Sequence, residues 1–242
     1  MHNPAAALMS NQHPQEADAQ DFDDFIYLMS HDVRASVRAL IELPQWIVED
    51  LADAGVQISG PVADSIELLN RHTARLDRML VYLLAYSRVG RMQDIVEVNL
   101  NACIDEVLSG LPMPEGMTLH RDIECDHIRM GEQDALMVWS ALIGNAVKHH
   151  GNAAAGTVEL RTRKEGGVVR FTVRDDGPGI PERHYAKALS AMTTLRPRDE
   201  VEGTGMGLAN VRKVAAYYGG YIQLSDAAPG LCVDLVLPDG HF

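Results

Sequence analysis

Asp-Asp-Gly-Pro-Gly-Ile, residues 175–180, follows directly on the alternating run Val168–Val173. A strand that ends in such a turn carries its last carboxylate into a cleft, and glycine there permits close backbone approach. A carboxylate so placed can accept from an exocyclic amine such as that of adenine. Outward from this turn, Thr157–Thr162 alternates with the same period of two, and Glu165-Gly166-Gly167 between the two runs predicts a hairpin. Downstream, Gly203-Thr204-Gly205-Met206-Gly207 stands ahead of a helix expected at about 206–218, which stops at Gly219-Gly220. Its backbone N–H groups and the helix N-terminus can cradle phosphates. Upstream, residues 133–150 are helical by pattern, with Leu136, Trp139, Ile143 and Ala146 on one face. Asn145 and Lys148 lie one turn apart on the polar face of that helix. An amide oxygen there suits Mg²⁺, a hard cation that takes oxygen ligands alongside phosphates, and Lys148 can neutralise phosphate charge. Alone, the Asn–Lys pair reads equally well as an ordinary helix end, and one glycine-rich turn is weak evidence. Two such turns with the pair upstream describe a nucleotide pocket.

The remaining pattern completes an α/β sandwich with a mixed sheet over residues 100–242. Asn101 is expected to cap a helix to about Leu111, residues 117–130 are strand-like, and a last hairpin pairs 221–224 with 231–237 across Ala228-Pro229-Gly230. No internal repeat is visible.

The first part of the chain has another period. Residues 1–20, rich in Ala, Asn, Gln, Pro and His, read as a flexible tail. From about Asp21, apolar residues recur in steps of three and four at Phe22, Ile26, Met29, Val33, Leu40, Leu43 and Ile47, a heptad seam interrupted by Ser36. After a break between Ala54 and Pro61, a second seam runs through Val62, Ile66, Leu69, Leu76, Leu80 and Leu83, with Thr73 in register. Two antiparallel helices cannot enclose both seams, so residues 21–90 are expected to form a four-helix bundle from two chains; a hairpin packed on the second domain is the other reading. Gly90 closes the second helix, and 91–99 reads as a linker and hinge.

With the seam facing inward, His31 of Ser-His-Asp-Val-Arg (30–34) is expected to face solvent, in line with Arg34, Ala35 and Arg38. A lone surface histidine is ordinarily just solvated. Here Asp32 can accept a proton or orient the ring, and the two arginines bring positive charge to an arriving phosphoryl group. An imidazole with an ordinary pKa of about 6.5 is largely neutral and nucleophilic at cellular pH.

Bulk properties narrow the class. A net charge of −13 argues against electrostatic nucleic-acid binding, which needs a basic face. No apolar run approaches the roughly 20 residues of a membrane helix, and no signal peptide is visible. Cys103, Cys125 and Cys232 are odd in number and widely spaced, as suits a reducing cytosol. The expectation is a soluble cytoplasmic protein.

Taken in order, SHDVR, GNAVKHH (144–150), DDGPGI and GTGMGL (203–208) resemble the motifs of a two-component sensor histidine kinase core. The resemblance covers roughly residues 22–238, and YSRVGR (86–91) and TLRPRDEVEGTGMGL (194–208) are similar to its phytochrome-like branch. It implies a dimerisation and phosphotransfer bundle, making the chain a homodimer through residues 21–90, followed by a Bergerat-type ATP-binding domain. By this likeness His31 is the phosphoacceptor, assisted by Asp32, and Asn145 the Mg²⁺ ligand. Asp175 is the adenine contact, beside Gly177 and Gly179. Gly203, Gly205 and Gly207 lie on the phosphate side, with Thr204 and Lys148 completing the nucleotide set. ATP and Mg²⁺ are the implied cofactors, and an aspartate on a response regulator receiver domain is the implied recipient. No sensor domain is recognisable, so input is expected through the tail or from a separate sensor protein.

The departures carry expectations too. Ser36 stands where the family commonly has Pro, and Pro44 is expected to bend the helix instead. Ala35 replaces the Thr or Asn that positions a hydrolytic water, which predicts weak phosphatase activity in a receiver dephosphorylation assay. Ala141 stands where related ATP hydrolases place a water-activating Glu, which favours transfer over hydrolysis. In the lid around 182–202, Leu189 and Met192 replace the usual Phe, and Arg196 and Arg198 are candidates for the γ-phosphate. Two other readings stay open on sequence alone: an ATP-independent dimeric histidine phosphotransferase, and a non-catalytic nucleotide-binding scaffold.

Overall fold

The structure, a computed structural model, describes residues 13–151, 155–195 and 203–240, with side chains from Ile26 onward except those of Ser30 and His31. It divides into two units, Met1–Arg88 and Val89–Phe242.

The first unit is a helical hairpin of α1 (His13–Asp53) and α2 (Pro61–Arg88). Residues 13–20, expected as part of a tail, belong to α1. Pro14 falls in the first turn, where a preset φ helps and a missing N–H costs nothing, and Gln15, Glu16 and Ala17 are good helix formers. The remainder of the expected tail, 1–12, lies outside the described residues. The helix continues through Pro44, whose ring removes the bond to the Leu40 carbonyl. It closes at Gly55 (φ 76°), where Val56 N–H reaches back to Leu51 O at 2.8 Å.

The hairpin covers only part of its apolar surface. Val37 on α1 and Thr73, Leu80 and Leu84 on α2 are buried. Leu40 (45%), Ile47 (51%), Val62 (56%) and Leu69 (45%) keep about half their surface exposed, and Met29, Leu43 and Leu76 join them. One line of each helix is therefore enclosed, while the expected seam of α1 from Met29 to Ile47, and half that of α2, stays open.

The second unit begins earlier than expected. Val89 is buried in its core, Gly90 N–H donates to Asp134 Oδ2 at 3.0 Å, and Gln93 Oε1 accepts from Gln133 N–H at 3.0 Å. Ile95–Asn99, expected as a linker, is strand β1, antiparallel to β3 (His127–Gly131) with Val98 buried. Five residues are too short to display a period on their own. Helix α3 (Leu100–Gly110) is capped by Asn99 rather than Asn101: Asn99 is extended (φ −82°, ψ 113°) and its Oδ1 accepts from Ala102 N–H at 2.9 Å. Asn101 already lies within the first turn and lacks the non-helical backbone a cap requires.

The strand-like stretch 117–130 splits between two sheets, as β2 (Thr118–Ile123) and β3. Then follow α4 (Glu132–His149), β4 (Thr157–Glu165), β5 (Val168–Asp175), the short α5 (Tyr185–Ala188), α6 (Gly207–Tyr217), β6 (Tyr221–Asp226) and β7 (Leu231–Pro238). The five-stranded sheet has the order β2-β4-β5-β7-β6, with β2 parallel to β4 and the other pairs antiparallel. It is mixed, as expected. The β4–β5 turn places Gly166 (φ 58°) and Gly167 (φ 80°) in left-handed backbone, as a two-residue hairpin of primed type requires. Period-two burial selects Val158, Leu160, Val169, Phe171 and Leu235 for the inner face, where Trp139, Leu142, Ile143, Val211 and Val214 of α4 and α6 cover them. Trp139 and Phe171 pack with ring centroids 5.5 Å apart. Beneath the helix ends, Tyr218 donates to Asp134 Oδ2 at 2.7 Å and accepts from Gly131 N–H at 2.8 Å. Burial raises the Asp134 carboxyl above the ordinary aspartate range. No described helix is long and apolar enough to cross a membrane.

Candidate nucleotide-binding site

The polar face of α4 and the glycine turn before α6 lie against each other. A Cβ on Gly207 would lie 3.4 Å from Asn145 Nδ2 and 3.6 Å from the Cβ of Ala141, and one on Gly203 would lie 3.1 Å from Lys148 Nζ. The missing side chains leave the turn backbone open beside the amide and the ammonium. Gly205 (φ 69°) is required for a second reason: a Cβ there would stand 2.4 Å from the Thr193 carbonyl oxygen. Thr204 is buried, and its Oγ1 accepts from Met206 N–H at 3.3 Å, which turns the chain into α6. These groups fit a nucleotide phosphate arm with its cation. Asn145 offers one hard oxygen, Lys148 a charge, and the turn unobstructed N–H groups. Among the described residues no group of three His, Cys, Asp or Glu side chains could hold a metal ion. Mg²⁺ thus suits this site as a cation shared with phosphates, not caged by protein.

The second arm is the turn after β5. Asp175 Oδ1 accepts from Gly177 N–H at 2.9 Å and from Leu231 N–H at 3.3 Å, which leaves Oδ2 for a ligand donor. Burial raises this carboxyl above the ordinary range, against the pull of those two amides. Gly179 (φ 65°) lies where a Cβ would meet the Gly230 carbonyl at 2.7 Å, so the turn packs on the β6–β7 loop.

Two further residues belong to this arm. Asp176 Oδ1 accepts from Thr157 N–H at 2.7 Å and lies 2.5 Å from Nε2 of the buried His150, at the C-terminal end of α4. The Thr157 amide, then His150, hold the Asp176 carboxyl below the ordinary range. Sequence reasoning passed over both. The only signal was the doubled letters of KHH and DDG.

His31 and Asp32 fall on α1, in the other unit. The His31 side chain lies outside the described residues. Asp32 is exposed, and of the line expected beside His31 so are Ala35 and Arg38. Arg34 is instead half-buried, with Nε 3.7 Å from Asp77 Oδ1 of α2. In the lid segment, Leu189 packs against the core and Met192 is exposed, while Arg196 and Arg198 lie outside the described residues.

Within this α/β sandwich, residues 131–241 match the family of histidine kinase-, DNA gyrase B- and HSP90-like ATPases. Together with the relatives below, this match supports a sensor histidine kinase ATPase core. It is 28% identical over 218 residues to cyanobacterial phytochrome B of Nostoc sp., covering 86% of this chain and 28% of that protein. It is 27% identical over 236 residues to the methanogenesis regulatory histidine kinase FilI of Methanothrix harundinacea, covering 92% of this chain and 25% of that protein. The chain thus spans little more than a quarter of these relatives. In structure it is similar to full-length ShkA in complex with AMPPNP, with a TM-score of 0.69 at 20% identity over 90% of this chain and 46% of that one. It is also similar to histidine kinase ThkA in complex with the response regulator protein TrrA, with a TM-score of 0.63 at 19% identity over 95% of this chain and 66% of that one. These structural likenesses support the fold.

Proposed function

We propose that the chain is an ATP-dependent protein-histidine kinase that phosphorylates His31 and passes the phosphoryl group to an aspartate of a response regulator. The observation that carries the proposal is the apposition of Asn145 and Lys148 to the glycine turn at 203–207, in one domain with the half-buried Asp175. Phosphoryl transfer asks a protein mainly for positioning and charge neutralisation. Asn145 and Lys148 would hold the phosphate arm with Mg²⁺, which supplies charge neutralisation when bound. Asp175 Oδ2 would accept from the adenine amine. Ala141 beside Gly207 offers no base to activate water, so hydrolysis is disfavoured and the phosphoryl group is reserved for a protein nucleophile. His31 would serve as that nucleophile, with Asp32 taking its proton.

The open seams support a second part of the proposal, a homodimer whose four helices cover them. A receiver partner is supported by the likeness to ThkA with TrrA.

The test is incubation of the intact chain with γ-labelled ATP and Mg²⁺, with and without isolated receiver domains. The expected result is label on the chain that moves to a receiver, and no label in Asn145→Ala. Nucleotide binding without any label would favour the scaffold, and no binding at all the ATP-independent phosphotransferase.

A further inference from the structure

We propose that His150 is a positioning residue for base recognition, an inference that rests on the reading of Asp175 as the adenine contact. The phosphate arm of the pocket sits on α4 and the base arm on the turn after β5, so selectivity requires that the two be held in register. His150 stands where α4 ends. Its ring is 5% exposed, its Nε2 lies 2.5 Å from Asp176 Oδ1, and its Nδ1 has no hydrogen-bond partner among the described residues. The ring's one hydrogen bond therefore goes to the residue next to Asp175.

The surroundings are shaped to keep it there. A Cβ on Gly156 would lie 2.6 Å from His150 Cε1, so glycine leaves the space that the ring fills. A Cβ on Gly177 would lie 3.0 Å from the His150 carbonyl oxygen and 2.9 Å from Asp175 Oδ1, so the turn closes tightly over the helix end. Asp176 Oδ1 takes a second bond from Thr157 N–H at 2.7 Å, at the start of β4. One oxygen thus joins α4, β4 and the turn after β5. Because a carboxylate here accepts from both neighbours, Nε2 is the nitrogen that donates. Removing that donor uncouples the Asp176 side of the turn from the end of α4, though Thr157 still holds it, and leaves the Asp175 bonds to Gly177 and Leu231 in place. The effect is a slackened aim of Oδ2, not loss of the carboxylate.

The experiment measures the affinity of the intact chain for ADP and for inosine diphosphate, each with Mg²⁺, by competition against a fluorescent nucleotide. The inosine base has a carbonyl where adenine has its amine, so it cannot donate to Asp175. A site built around such a bond rejects the analogue lacking it. The wild type is expected to prefer ADP. In His150→Phe, which keeps a ring but no donor, the preference is expected to fall about tenfold, through weaker ADP binding with inosine diphosphate affinity nearly unchanged. Asp176→Ala is expected to do the same, and the double variant to be no worse than Asp176→Ala, as for residues acting through one bond. His150→Gln, which retains an N–H donor, should recover part of the preference.

An unchanged preference in a folded His150→Phe overturns the proposal. So does an equal fall for both nucleotides, which is the signature of a merely structural role. If His150→Phe shows no melting transition, Asp176→Ala decides by the same two criteria. A wild type that binds both nucleotides equally would instead refute the reading of Asp175, and this inference with it.

Discussion

The helical hairpin and the ATPase domain both contain long amphipathic helices, but they dispose of their apolar faces differently. In the ATPase domain, α4 lays Trp139, Leu142 and Ile143 on a sheet that presents Leu160, Phe171 and Leu235, and these side chains are almost wholly buried. A sheet face is broad enough to cover several helices, so the domain finishes its core from one chain. In the hairpin, α1 and α2 pack on each other along one face. A two-helix contact hides a single line of side chains, and Leu40, Ile47, Val62 and Leu69 remain about half exposed. An apolar stripe of that length on a soluble surface marks an interaction site. The domain thus closes its core within one chain, whereas the hairpin leaves an apolar stripe that the proposed dimer would cover.

Substitutions separate these conditions. The largest effect is expected from Leu40→Glu in the open seam. Leu40 is 45% exposed in one chain, so each copy would lose about half of the ~1.5–3 kcal/mol of full leucine burial. Each would also place an unpaired carboxylate in the apolar seam, so dissociation should rise about a hundredfold or more. Sedimentation equilibrium measures this, and nucleotide affinity should not move; unchanged association would remove the argument for the dimer. In the closed core, Trp139→Ala is expected to cost about 3–5 kcal/mol in denaturant unfolding and to abolish nucleotide binding. Tyr218→Phe sharpens the contrast. It removes the hydroxyl shared by Asp134 Oδ2 and Gly131 N–H and is expected to cost about 1–3 kcal/mol in the same assay. Asn99→Ala, which deletes the cap of α3, should cost about 1 kcal/mol.

The smallest effect depends on pH. The folded Asp176 carboxyl sits below its ordinary value of about 3.9. Its contribution is therefore fully present above that value and lost as pH falls through the lowered folded value. The stability difference between wild type and Asp176→Ala should be constant near neutrality and shrink in acid. A difference that grows in acid would reverse the sign argued here.

Much of the ATPase domain was legible because its signals are local. Period-two runs marked β4 and β5, Gly166-Gly167 marked their turn, and the glycines at 203–207 follow from close approaches that Lys148, Asn145 and Thr193 impose. What escaped was short or long-range. Strand β1 has five residues and takes its identity from β3, 28 to 36 positions away in register. The cap of α3 was placed two residues late because Asn99 and Asn101 flank the same leucine, and only backbone geometry distinguishes them. The helical start at His13 was obscured by a composition that suits either tail or helix. The His150–Asp176 and Tyr218–Asp134 pairs join residues 26 and 84 apart, and no local pattern announces such a bond. For the hairpin, the heptads showed where apolar residues lie but not which line faces the partner helix.

The most direct test of the central claim is the chemistry of the phosphorylated protein. The intact chain is incubated with γ-labelled ATP and Mg²⁺ beside His31→Gln, and the label is challenged with acid and with base. The account expects an acid-labile, base-stable label on the wild type and none on the variant. Acid-stable label, or label that survives in His31→Gln, would contradict it.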